Sequence, residues 1–141
     1  MSRRAAAILL LAAVLAAVLA ALAYWSRGDR QVDALNQAIK QHGSAALRDY
    51  PYQFRVLRLE SGVATMTTPR SPQVPVYRMI RAIDPTVNPR NPSDPEFVAA
   101  SKALANVQTE ARQIVLSQPG VTQVKWELDK NWLLDHGIAV D

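Results

Sequence analysis

Residues 5–23 form an uninterrupted apolar run, preceded by Ser2-Arg3-Arg4 and followed by Tyr24-Trp25. Nineteen uncharged residues at about 1.5 Å each make a helix of roughly 28 Å, close to the hydrocarbon thickness of a bilayer. The chain is expected to meet a membrane. Arg3 and Arg4, under the positive-inside rule, keep the N-terminus in the cytoplasm and send the remainder across, which in a bacterium means into the periplasm. The small-x-small triplet Ala21-Leu22-Ala23 would also serve as a signal-peptidase site, so a cleaved signal peptide is the alternative. The length of the run and the aromatic pair favour a retained single-pass span, with Arg3, Arg4, Tyr24 and Trp25 at the two membrane interfaces. Ala12, Ala16 and Ala20, and Ala13, Ala17 and Ala21, recur at every fourth position, a spacing that admits a second helix and hence a helix-mediated oligomer. Ten alanines among nineteen residues produce such spacings by composition alone.

Residues 26–141 suffice for one small exported domain with a modest core. The chain has no cysteine, which excludes a disulfide framework, a thiolate metal site, a cysteine nucleophile and a lipoprotein anchor. From Arg48 to Arg90 seven arginines face only Asp49, Glu60 and Asp84, while the part after Arg90 is net acidic. An exported domain meets no nucleic acid. If the basic stretch forms one surface, its counterparts are anionic lipid head groups, an acidic envelope polymer or an acidic envelope protein; an ordinary solvated surface is the simpler reading.

Residues 31–47 read as a helix with Val32, Leu35, Ile39 and Ala46 near one face, weakened at Gly43 and stopped by Tyr50-Pro51. Residues 53–67 read as a hairpin turning at Glu60-Ser61-Gly62, the glycine supplying a positive φ. Pro69, Pro72 and Pro75 delay further pairing until residues 76–83, whose β-branched and aromatic content predicts a strand. Four prolines mark residues 84–95 as a long loop. Asp94, Pro95 and Glu96 then open a helix to about Ser117, with Phe97, Ala100, Leu104, Val107, Ala111, Ile114 and Val115 as its core stripe. Gln118-Pro119-Gly120 ends it, residues 121–129 alternate as a strand with Val124, Trp126 and Leu128 on one face, and Trp132, Leu133 and Leu134 fold back in the tail. The predicted class is α+β: an N-terminal transmembrane helix, then a small antiparallel or mixed sheet of about four strands packed against two helices.

This order, and Gly120-Val121-Thr122-Gln123-Val124-Lys125-Trp126-Glu127-Leu128 after the last helix, resembles the BON domain, a small αββαβ module of bacterial envelope proteins. Val56 through Gly62 to Met66 is similar to its hairpin. The family's second hairpin glycine would fall near Thr68, and residues 71–95 have no counterpart. The resemblance implies a non-catalytic module that binds membrane surfaces or other envelope components.

Catalytic chemistry finds little support. Glu127, Asp129, Asp135 and His136 could supply acid, base or cation ligands, but their spacing fits no metal loop and reads better as the wet side of a strand running into a turn. His42 stands apart as a surface residue, no serine sits in a nucleophile elbow, and no glycine-rich loop cradles phosphate. No enzyme activity, metal or cofactor is expected. The favoured expectation is a membrane-anchored periplasmic binding or scaffolding protein, its contact surface formed by Arg55, Arg58, Arg78 and Arg81 on two neighbouring strands with Tyr77 beside them. The alternative is an accessory subunit of a larger inner-membrane complex, docking through its span, its proline-rich loop and an exposed Trp132 tail.

Overall fold

The computed structural model describes residues 2–87 and 91–141. Helix α1 spans Arg3–His42 without a break, with the Ser2 hydroxyl capping its start by accepting from Ala5 N. It is the one helix among the described residues long and apolar enough to cross a membrane. The apolar run and the expected helix after it are therefore a single rod of about 60 Å. Side chains before Val32 are largely exposed, Trp25 and Tyr24 to 76% and 77%, whereas Leu35, Ala38 and Ile39 are buried in the core. One helix thus has an exposed part and a packed part, and its buried face exists only where the domain lies alongside.

The rod stops at Gly43, whose extended backbone leads into a short helix α2, Ala45–Arg48, capped by Ser44. A Cβ at Gly43 would stand 2.6 Å from the Ile39 carbonyl oxygen, so close backbone approach requires glycine there. Glu110 of a later helix holds this corner, accepting from Ser44 N at 2.6 Å and from its hydroxyl at 2.8 Å. Ala46, expected on the buried face, is exposed because the corner rotates α2 away from the register of α1; Leu47 is buried instead.

Strands β1, Val56–Glu60, and β2, Val63–Thr68, form the expected hairpin. Its two-residue turn holds Ser61 at φ 48° and Gly62 at φ 79°, the paired positive φ values that match strand twist. A bulge lies between Val56 and Arg58. Strand β3, Gln123–Leu128, joins β2 in parallel, and the mixed sheet has the order β1-β2-β3.

Among the described residues the sheet has three strands and not four, because the strand expected at residues 76–83 is instead helix α3, Val76–Ile83. Its apolar residues Val76, Met79, Ile80 and Ile83 recur at three and four, the helical period, and Met79, Ile80 and Ile83 are buried. Pro75 starts the helix from a position where proline costs no hydrogen bond, so periodicity overrides the β-branched content. Helix α4, Pro95–Leu116, opens on Asp94, whose carboxylate accepts from Glu96 N at 3.0 Å, and buries Leu104, Val107, Ala111 and Val115. A short helix α5, Lys130–Asp135, follows β3. Helices α1 and α4 cover one sheet face, where Ala64, Met66 and Val124 join Leu35, Leu104 and Val115 in the core; α3 packs beside α4. The part of the predicted 84–95 loop at residues 88–90 lies outside the described residues; neither helix nor strand occurs in the rest of it before Pro95.

Candidate functional site

The rod fixes the direction of the sheet. Asn36 Nδ2 donates to Val56 O at 3.0 Å and Val56 N donates to Asn36 Oδ1 at 2.8 Å, clamping the outer edge of β1 to α1. Further along the helix, Ile39 and Lys40 share a cleft with Gln53 and Phe54. Advancing along α1 therefore means moving back along the later segment, and β1 runs toward the N-terminal end of the helix. The hairpin tip and Gly120 then lie toward the N-terminal end of α1, and β2 and β3 both point away from it. Helices α3 and α5 occupy the opposite end, where Thr68 shares a cleft with Val76 and Met79 of α3 and Asp129 caps α5 directly after β3.

The four arginines do not share two neighbouring strands, because residues 76–83 are helical and belong to another layer. Arg55 and Arg58 flank the open face of the sheet. Arg58 meets Glu127 across β2 at 2.6 Å, and the carboxylate raises the guanidinium above its ordinary value by hydrogen bonding and charge. Beneath them Thr65 and Thr67 are buried at 4% and 2% exposure. Arg55 lies 3.5 Å from Asp129, itself buried, which also accepts from Tyr52 Oη at 3.1 Å and from Trp132 N at 3.1 Å as the cap of α5. Burial is the main cause that pushes the Tyr52 hydroxyl up. These two arginines are committed to internal pairs, and neither pair is fully buried, so each contributes well under the value of an enclosed ion pair.

Arg78 and Arg81 are different. Both are exposed on α3, without an ion pair among the described residues, and with Tyr77 they line a cleft of about 390 Å³ closed on its other side by His136, Gly137 and Ile138. His136 stacks on Trp132 with ring centroids 3.9 Å apart, and its Nδ1 lies 2.7 Å from Trp132 O. Trp132 is not fully exposed: it is half-buried between that imidazole and Tyr52, whose ring meets it edge-on at 5.2 Å. The tail folds back because Leu133 and Ile138 are buried. His136 thus lines a basic cleft, an association absent from its sequence neighbourhood and created only by the approach of α5 to α3. Among the described residues no three histidine, aspartate or glutamate side chains converge as metal ligands. Chemically, two free guanidiniums, an imidazole and a phenol suit recognition of a carboxylate, sulfate or phosphate group.

Arg3, Arg4, Tyr24 and Trp25 are all exposed on α1, at the two ends of the apolar segment. No family model, no curated protein and no solved structure matches the chain.

Proposed function

We propose that the chain is a single-pass, membrane-anchored, non-catalytic binding or scaffolding protein of the bacterial inner membrane. Its N-terminus is cytoplasmic, and its periplasmic domain presents the α3–α5 cleft to an acidic envelope component. The observation that carries the reading is the continuity of α1, which passes from the apolar segment into the domain core without a linker. A rigid stalk sets height. Asn36 stands eleven residues beyond Trp25, about 16 Å, and the far ends of β2 and β3 lie higher again, at roughly 20 Å. Arg78 and Arg81 are then beyond the ~8 Å Debye length at physiological salt, which disfavours lipid head groups and favours a partner in the periplasmic space. The element order of helix, hairpin, helices and strand is compatible with the BON-like resemblance, whose binding role this reading adopts.

The absence of native cysteine makes the topology directly testable. Ser2→Cys and Ala139→Cys, each in the full-length chain, are exposed to a membrane-impermeant maleimide on spheroplasts. Labelling of position 139 alone is expected; labelling of position 2, or recovery of a chain beginning near Tyr24, defeats the anchored topology. A photo-cross-linking residue at Tyr77 is expected to capture a protein or glycan, with loss of the adduct on Arg78→Glu together with Arg81→Glu. Capture of lipid alone would return the arginines to the membrane surface.

A further inference from the structure

The two edges of the sheet are treated differently. The outer edge of β1 is occupied where Asn36 takes both the N–H and the C=O of Val56. On the other side, Gln123 N donates to Gly62 O at 3.2 Å and Asp129 N to Thr68 O at 2.9 Å, which places the odd-numbered residues of β3 in the ladder with β2. The backbone groups of Val124, Trp126 and Leu128 consequently face outward. None of them has a hydrogen-bond partner among the described residues. Beside this edge, on the core face, lies a cleft of about 430 Å³ walled by Trp126, Val76, Met79 and Pro72, with Arg70 at its rim. On the open face Lys125 is exposed and, like Arg70, takes no ion pair among the described residues, whereas Glu127 is engaged by Arg58.

We propose that the outer edge of β3 is a docking strand for an extended acidic segment of another envelope polypeptide, added to the sheet beside Trp126. An added strand alternates its side chains between faces. Apolar residues on one side would enter the Trp126 cleft, acidic ones on the other would meet Lys125, and Arg70 at the cleft rim would take an acidic residue at the end of the segment. This inference goes beyond the proposed function and rests on it for the envelope location of the partner and, through the membrane anchor, for excluding a second copy. Two chains in one bilayer are related by an axis along its normal, so their β3 strands, both directed away from the anchor, would run parallel with identical outward groups at equal height. Donor would then face donor, since parallel pairing requires a one-residue offset. Antiparallel pairing would place the two anchors at opposite ends.

The test uses the full-length chain in detergent micelles and a synthetic hexapeptide of alternating valine and glutamate. Binding is expected to slow amide exchange at Val124, Trp126 and Leu128 at least tenfold at saturation and to change tryptophan fluorescence. A peptide N-methylated on its pairing edge, or one alternating valine and lysine, is expected to bind at least tenfold more weakly. Leu128→Pro removes one outward N–H and leaves the inward ladder intact, so it should weaken binding; if that variant does not fold, the N-methylated comparison on the wild-type chain decides. Lys125→Glu with Arg70→Glu should reverse the preference between the two peptides. Equal affinity for the N-methylated peptide, or protection confined to other amides, overturns the proposal. A concentration-dependent dimer abolished by Leu128→Pro would also overturn it, by showing that the edge pairs with itself.

Discussion

Asn36 is the residue through which the stalk holds the sheet, and replacing it with alanine isolates that bond. The substitution removes two hydrogen bonds, of 2.8 and 3.0 Å, to the backbone of Val56, a residue only 2% exposed. A buried backbone donor or acceptor left without a partner costs about 1–3 kcal/mol. Val56 would lose the partners of both groups, but Asn36 itself is only partly buried and water can reach part of the gap. The expected loss is therefore about 2–3 kcal/mol, toward the lower end of the combined range. With a urea m-value of ~1.5 kcal/mol/M for a domain of this size, the midpoint should fall by about 1.3–2 M. The assay is urea unfolding of the full-length chain in micelles, followed by the fluorescence of Trp126 and Trp132, with exchange of the Val56 amide measured in parallel. Asn36→Asp keeps the acceptor for Val56 N–H but loses the donor to its carbonyl, and should fall between wild type and alanine. A midpoint within about 0.3 M of wild type, with Val56 still protected, would refute the argument, because water would then be satisfying the strand edge as well as the side chain does.

The helical period of α3 predicts that Met79→Ala, at 2% exposure, costs about 2–4 kcal/mol, whereas Val76→Ala, at 47%, costs less than about 0.5 kcal/mol; comparable losses at both would contradict the helix. Gly62→Ala must place a Cβ 2.7 Å from Thr122 Oγ1 at a φ of 79°, so a loss of about 1–3 kcal/mol is expected in thermal unfolding, only partly relieved by adding Thr122→Ala. Tyr50 is pushed up to about 12, mainly by burial and secondly by Asp84. The folded chain therefore keeps this proton where the unfolded chain loses it: the Tyr50 contribution to stability is intact below pH 10 and declines between about pH 10 and 12. Absorbance titration near 295 nm should show Tyr50 and Tyr52 ionising later in the folded chain than after unfolding in denaturant, and coincident curves would disprove it.

Much of the architecture is readable residue by residue because its signals are local. Asp94-Pro95-Glu96 caps a helix wherever it stands, since the carboxylate reaches an amide two residues on. Ser61-Gly62 turns a hairpin for the same reason, and the four buried residues of α4 all belong to its predicted stripe. Residues 76–83 show where local signals conflict: β-branched and aromatic content argues for a strand, and the spacing of Met79, Ile80 and Ile83 argues for a helix. Packing against α4 resolves the conflict, since only the helix buries all three. The candidate site is only partly legible. Arg78, Arg81 and Tyr77 are close in sequence, but His136, more than fifty residues later, joins them only because α5 returns to the end of the sheet where α3 lies. Composition cannot sort Arg55 and Arg58 from the other two, because Asp129 and Glu127 reach them across β2.

That one segment of this chain is apolar enough to cross a bilayer is settled by the residues in order, since transfer free energy is summed over consecutive positions and needs no partner. The starts of the helices and the hairpin turn are settled in the same way, because caps and turns bond to neighbours within a few positions. Folding in three dimensions was needed to make the apolar segment and the first domain helix one rod, to run β3 away from the N-terminal end of that rod, and to leave one arginine pair internal and the other free. Those outcomes depend on hydrogen bonds such as Asn36 to Val56 and on parallel register between β2 and β3, which join residues twenty to sixty positions apart and leave no periodic mark in the chain.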